Sequence, residues 1–195
     1  MGSIAIGMDK ILKAHFDNFR HQGKLPPELK REGIYAKLFP DLHLLNIWRD
    51  GRRGLAWKDK HNNILKGALD DVLQDSDDNL IVLDFKTRGF PLKSNTPSYY
   101  QDQLNIYNFL LRENNQKTMN YAYLLFYYPN SVGRNGILFN TKLVQVQTNA
   151  DDAKKLFEEA VLLLMGRKPQ PAKNCKYCDY HYGREAYEKP TRILP

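Results

Sequence analysis

Cysteine is scarce in this chain, with two in 195 residues. That excludes a disulfide-rich secreted scaffold and suits a reducing compartment. Long apolar runs are missing too; none approaches the ~18–20 residues that a membrane span needs. The opening Met1-Gly2-Ser3 lacks the apolar stretch of a signal peptide, so a cytoplasmic protein is expected. The chain has no internal repeat, no low-complexity tract and no G-x-x-x-x-G-K-[ST] phosphate loop. Apolar residues at 42% and charged residues at 26% exclude disorder and coiled coil as readings. What is left is an ordinary globular chain, long enough to bury one full core.

Charge is present in excess and unevenly placed. Lys plus Arg number 29 against 22 for Asp plus Glu, a formal charge of +7. From Arg20 to Lys60 there are ten basic and five acidic residues, whereas Asp70 to Asp84 holds six aspartates and no base. A basic first third beside an acidic centre suits a protein that holds a polyanion next to a cation site. A solvated basic surface with an acidic turn has the same composition.

Hydrophobic spacing predicts a helix over Met8–Phe19 and a short helix from Pro27 to Phe39, broken by Pro40. Leu44–Arg49 and Gly54–Lys58 read as strands around an Asp50-Gly51 hairpin turn. Ile64–Leu73 and Leu80–Lys86 read as strands around a polar turn at Gln74–Asn79. Thr96-Pro97 has the pattern of an N-cap and first helical proline for a helix reaching Asn114. Strands follow at Tyr121–Tyr128 and Gly136–Gln147, with a turn at Pro129–Asn135 between them. A last helix opens at Asn149 or Ala150 and stops at Gly166. The expected organisation is one mixed α/β domain over 1–195. It comprises a helical region to residue 40, a core over 41–166 and a tail over 167–195.

The strongest chemical signal is Asp70 with Ile81-Val-Leu-Asp84-Phe-Lys86. Side chains alternate along a strand, so Asp84 and Lys86 share a face while Ile81, Leu83 and Phe85 point into apolar packing. A turn centred between Ser76 and Asp77 sets Asp70 opposite Leu83 or Asp84, with cross-strand Cβ atoms ~4.5–5.5 Å apart. Two carboxylates that close repel each other and lose hydration unless a proton or a cation intervenes. A divalent ion removes that penalty and also binds phosphate oxygens. Lys86 points into the same space, where an ammonium orients water and offsets charge developing on a phosphate. Two acids, a lysine and a metal fit phosphodiester hydrolysis; an isolated D-x-K pair also fits a plain surface ion pair.

In a helix from Pro97, Tyr100, Gln103 and Tyr107 fall on one face. Gly67-x-x-Asp70-x-x-Leu73, Leu83-Asp84-Phe-Lys86-Thr87 and Tyr100-Gln-Asp-Gln103-Leu-Asn-Ile-Tyr107 come in this order and spacing. Together they resemble the PD-(D/E)XK nuclease superfamily in its RecB-like branch. That branch includes nuclease domains of helicase–nuclease repair complexes and of CRISPR adaptation. The resemblance implies a restriction-endonuclease-like α/β core, a mixed central sheet flanked by helices. It implies Mg²⁺ or Mn²⁺ held by Asp70, Asp84 and the carbonyl of Phe85, with Lys86 positioning water. Gln103 and Tyr107 would contact the DNA backbone or the catalytic groups, and cleavage would leave a 5′-phosphate. Members often carry an upstream His or Glu ligand. Glu32-Gly33-Ile-Tyr35-Ala-Lys37 occupies the comparable stretch without histidine, and Glu28, Glu32 and His43 are candidate substitutes.

Arg49, Arg52, Arg53, Lys58, Arg88 and Tyr100 are candidate nucleic-acid contacts, with Lys13, His15, Arg20 and Lys24 on the first helix as helpers. Phosphate contacts of this kind give salt-dependent affinity and little sequence choice. In the tail, Cys175-Lys-Tyr-Cys178-Asp-Tyr-His181 resembles part of the cysteine set that closes some RecB-like nucleases around an iron–sulfur cluster. Two cysteines cannot supply the four that such a cluster takes from one chain. Zinc on Cys175, Cys178 and His181 would lack a fourth ligand. The expected activity is a metal-dependent DNA nuclease acting on single-stranded or frayed DNA. The alternatives are a non-catalytic nucleic-acid-binding module and a subunit that works only with other DNA-processing proteins.

Overall fold

The structure, a computed structural model, describes residues 3–172 and 174–188. The chain divides into two units, Met1–Phe157 and Glu158–Pro195. The first holds α1 (Ser3–His21), α2 (Pro27–Lys30), β1 (Lys37–Leu38), α3 (Leu42–Arg49), β2 (Leu55–Lys58), β3 (Ile64–Gly67), β4 (Asp71–Gln74) and β5 (Leu80–Thr87). A 3₁₀ turn, Pro97–Tyr100, then leads into α4 (Gln101–Glu113), β6 (Tyr121–Gly133), β7 (Gly136–Gln147) and the start of α5 (Ala150–Met165). The second unit contains the end of α5 and α6 (Lys176–Glu188). The tail expected at 167–195 lies in this unit, and its residues 173 and 189–195 lie outside the described residues.

Five strands form one sheet in the order β1-β4-β5-β6-β7, and β2 and β3 form a separate hairpin. Among the described strands of this sheet only β5 and β6 pair in parallel. A parallel pair needs a crossover, which α4 supplies. The sheet is therefore mixed. The alternation of β5 sorts its two faces. Leu80 and Val82 join Leu104, Leu110, Leu124 and Phe126 on the α4 side. Ile81, Leu83 and Phe85 join Leu12, Phe16 and Leu29 of α1 and α2 on the other. Asp84 and Lys86 continue the first face past Val82, at the end of the strand.

Several local expectations are corrected. Leu44–Arg49 is helical, because Asp41 caps its start by accepting from the Leu44 N–H at 2.9 Å and Leu45 and Trp48 bury one stripe. Asp50-Gly51 is thus the turn after a helix; the Asp50 carboxylate accepts from the Arg52 and Arg53 N–H groups. The helix after Pro27 ends at Lys30, since Gly33 turns with a positive φ of 64° before β1. Ile64–Leu73 divides between two sheets, and Asp70 sits in the break. The hairpin β2–β3 turns instead at Asp59–Asn63, where the Asp59 carboxylate gathers the N–H groups of His61 and Asn63. Thr96 does not cap α4; its hydroxyl accepts from the Lys93 N–H, and the first turn is 3₁₀. β6 runs on through Pro129 to Gly133, with a bulge between Pro129 and Ser131.

Gly54 allows the chain to cross the end of the hairpin. A Cβ there would collide with the carbonyl oxygens of Gly67 and Asp50, both backbone. Gly54→Ala is expected to cost about 1–3 kcal/mol, as overpacking against rigid neighbours does. A urea melt checks this; an unchanged midpoint would show that the backbone relaxes freely.

Candidate active site

β4 and β5 are antiparallel with Asp71 opposite Leu83. Extending that register by one residue places Asp70 across from Asp84. Asp70 Oδ2 accepts from the Phe85 N–H at 3.0 Å, which fixes one carboxylate oxygen to the facing strand. Asp84 is buried. Its Oδ2 lies 2.5 Å from Lys86 Nζ as an ion pair, and no other described group donates to that oxygen.

From α4, Gln103 Oε1 accepts from Lys86 Nζ at 3.0 Å, and Gln103 Nε2 donates to Tyr107 Oη at 2.7 Å. The Tyr100 ring lies beneath the ammonium, 4.6 Å from its centroid. Gly67 lets this helix come close, since a Cβ there would press on Leu110 and the Tyr107 ring. Asp70, Asp84, Lys86, Gln103, Tyr107 and Tyr100 are therefore brought together in space. The backbone of Phe85 is at the site through its N–H, while its ring packs 4.6 Å from Phe16.

Electrostatics match this packing. Burial pushes the Asp84 carboxyl up to about 6; Lys86 pulls the other way, and the charge of Asp70 adds to the rise. Burial also lifts Tyr107 to about 12, so its hydroxyl keeps its proton at neutral pH.

The sequence reading missed how α1 enters the site. Lys13 Nζ stands 3.1 Å from Asp70 Oδ1 and 2.9 Å from Asp9 Oδ2. Burial lowers its pKa, but Asp70 and Asp9 outweigh burial and hold the ammonium above its ordinary value. Asp9 also lines a cavity of about 210 Å³ with Leu12, Phe85, Lys86 and Thr87. The i, i+4 spacing of Asp9 and Lys13 beside the apolar Leu12 and Phe16 was the available signal. Of the candidate upstream ligands, Glu28 faces elsewhere, with His15 at 3.2 Å and the Tyr127 hydroxyl donating to it at 3.2 Å. Glu32 and His43 are exposed.

The basic candidates separate. Arg52, Arg53 and Lys58 are exposed and Arg88 is half-buried. Arg53 pairs with Asp50 at 2.9 Å. Arg49 and Arg20 are interior instead, because Asp71 is fully buried and needs both. Arg20 Nη2 reaches its two oxygens at 2.6 and 2.7 Å, and Arg49 Nη2 reaches Oδ2 at 3.0 Å. Arg49 also donates to the Asp70 carbonyl at 2.8 Å, so it serves the backbone of the site rather than an outer phosphate. In the second unit, Cys175 and Cys178 are free thiols around the start of α6. Among the described residues no three His, Cys, Asp or Glu side chains gather as a metal cluster, Cys175, Cys178 and His181 included.

The family model of the PD-(D/E)XK nuclease superfamily matches residues 12–182, and the match spans α1 through the D-x-K strand to α6. The chain belongs to the PD-(D/E)XK nuclease superfamily. A comparison with curated proteins finds no match. The mixed five-stranded sheet with its helices is the restriction-endonuclease-like α/β fold of that superfamily. Superfamily members are generally nucleases and generally use divalent ions such as Mg²⁺ or Mn²⁺.

The residues present fit such an ion. Asp84 Oδ2 is a buried anionic oxygen with no directed donor, beside a second carboxylate that raises its pKa. A hard dication relieves both penalties. The linkage has a definite sign. The folded-state pKa of Asp84 exceeds its unfolded value of 3.8, so the metal-free fold loses this group's stability as pH rises from about 4 to about 6. The loss is about 3 kcal/mol at completion. Asp84→Asn is therefore expected to stabilise the protein in EDTA at pH 7.5 and to change it little at pH 4. Chemical denaturation at the two pH values measures this; equal effects at both would contradict a strained carboxylate.

Proposed function

We propose that this chain is a metal-dependent deoxyribonuclease of the RecB-like branch, hydrolysing phosphodiester bonds in single-stranded or frayed DNA. The convergence of Asp70, Asp84 and Lys86 beneath Gln103 and Tyr107 carries this reading. Asp70, Asp84 and the Phe85 carbonyl would hold Mg²⁺ or Mn²⁺, which when bound supplies Lewis-acid activation and neutralises phosphate charge. The chain's own groups do the rest. Lys86 orients the attacking water and offsets charge building on the phosphate. Gln103 and the protonated Tyr107 hold the lysine in line and offer donors to the substrate backbone. Asp84 holds Lys86 in place through their ion pair.

The surroundings favour an unpaired strand. Phe90, four residues beyond Lys86, and Tyr99, next to Tyr100, are large aromatics exposed at 78% and 74%. Such rings stack on bases that are free of a duplex and are indifferent to sequence. Arg88, Arg52, Arg53 and Lys58 supply the phosphate contacts that make binding salt-dependent. Repair, recombination and CRISPR adaptation are the settings in which RecB-like nucleases of this substrate preference work.

End-labelled single-stranded, duplex and frayed DNA, with Mg²⁺ or Mn²⁺, tests the reading. Metal-dependent products ending in 5′-phosphate, fastest from unpaired DNA and absent with Asp70→Ala, are expected. DNA binding without cleavage in either metal would replace the reading with a non-catalytic binding module. Cleavage only after adding a partner protein would replace it with a partner-dependent subunit.

A further inference from the structure

We propose that Lys13 is the resident cation of the acidic pocket, standing where a second divalent ion would have to sit, so that the site takes one divalent ion at a time. The inference rests on the reading that Asp70 and Asp84 hold a divalent ion. The oxygens of Asp70 decide it. A carboxylate that bridges two ions gives one oxygen to each, at ~2.0–2.2 Å. Here Oδ2 is already held by the Phe85 N–H at 3.0 Å, and Oδ1 faces the Lys13 ammonium at 3.1 Å.

Asp9 completes the arrangement. Its carboxylate is the outermost of the site acids and the acidic wall of the 210 Å³ cavity. Its Oδ2 is engaged by the same Lys13 at 2.9 Å, so Asp9 and Asp70 meet across one ammonium. One lysine therefore occupies both donors from which a second ion could be built.

Charge counting agrees. Asp9, Asp70 and Asp84 contribute three negative charges, and Lys13 and Lys86 two positive ones. One divalent ion takes the cluster from −1 to +1, a state that receives a phosphodiester. A second would take it to +3 against two neighbouring ammonium groups. Lys13 is held for this task by its helix, since Leu12 and Phe16 bury the same face of α1.

Mn²⁺ titration of the intact protein, without DNA, followed by calorimetry and by the loss of the free-ion EPR signal, tests this. The native protein should bind one Mn²⁺. Lys13→Met should bind the first ion at least tenfold more tightly or bind two, and Lys13→Arg, which keeps the charge, should return to one ion at native affinity. Circular dichroism melts of both variants confirm that the compared proteins are folded, and Lys13→Gln replaces Lys13→Met if that variant melts early. Two ions in the native protein, or a Lys13→Met variant that binds a single ion no more tightly than native, would overturn the proposal. If neither the native protein nor Lys13→Met binds Mn²⁺, the metal-site reading falls, and this inference with it. Binding by Lys13→Met alone would likewise overturn the proposal, because the native site must take one ion.

Discussion

Lys86→Ala is expected to lower metal-dependent cleavage by ~10²–10⁴-fold, the span typical of a positioned acid–base or charge-stabilising group. DNA affinity should change little, because exposed arginines and lysines elsewhere carry the phosphate contacts. The expectation follows from how firmly this ammonium is placed. Asp84 Oδ2 holds it at 2.5 Å, Gln103 Oε1 at 3.0 Å, and the Tyr100 ring supports it from below. Arginine would not rescue it, since a planar fork cannot take the seat of a compact ammonium among three partners. A second readout separates this role from mere folding. Lys86 is the largest influence holding Asp84 down against burial, so its removal should push that carboxyl above about 6. The acid limb of the metal-binding profile would then move to higher pH. An unmoved limb, or cleavage within fivefold of native, would show that Lys86 has neither role.

The largest stability effect is expected at a residue that touches no substrate. Asp71→Ala should cost about 3–5 kcal/mol, the range for removing one member of a buried ion network. Asp71 is fully buried, and burial raises its carboxyl pKa against the pull of Arg20 and Arg49. Those arginine side chains are 3% and 8% exposed, and without Asp71 two buried guanidinium groups would share Asp17, 3.4 Å from Arg20 and 2.8 Å from Arg49, as their remaining carboxylate partner. Asp71→Asn keeps an acceptor in place and should cost less. Because Arg49 also donates to the Asp70 carbonyl, the alanine variant should lose Mn²⁺ affinity together with stability. Urea unfolding gives the first number and titration the second. A loss under 1 kcal/mol would mean that water reaches the guanidinium groups and replaces the carboxylate.

The sequence showed most of the site because the site's spacing is short-range. Strand alternation put Asp84 and Lys86 on one face, and helix periodicity put Gln103 and Tyr107 on another facing it. The polar turn left Asp70 opposite either Leu83 or Asp84, and the observed pairing of Gln74 with Leu80 and Asp71 with Leu83 decides for Asp84. What the sequence hid depended on long-range partners. Leu44–Arg49 has enough β-branched and aromatic character to read as a strand; the Asp41 cap and the burial of Leu45 and Trp48 against Phe39 decide for helix. Arg49 and Arg20 looked like surface charge, since nothing local announces that Asp71, next to the metal-binding candidate, is the aspartate that turns inward. Lys13 was visible only as one base among many on α1. Its partner Asp70 lies 57 positions away, and no local pattern records that approach.

The account depends on Asp70 and Asp84 sharing one ion. Crystals soaked in Mn²⁺ and measured at the manganese absorption edge test it most directly. One anomalous peak bonded to Asp70, Asp84 and the Phe85 carbonyl, with the Lys13 ammonium still beside Asp70, is predicted. A peak elsewhere, two peaks within 4 Å of each other in the acidic pocket, or none at full soaking would contradict it.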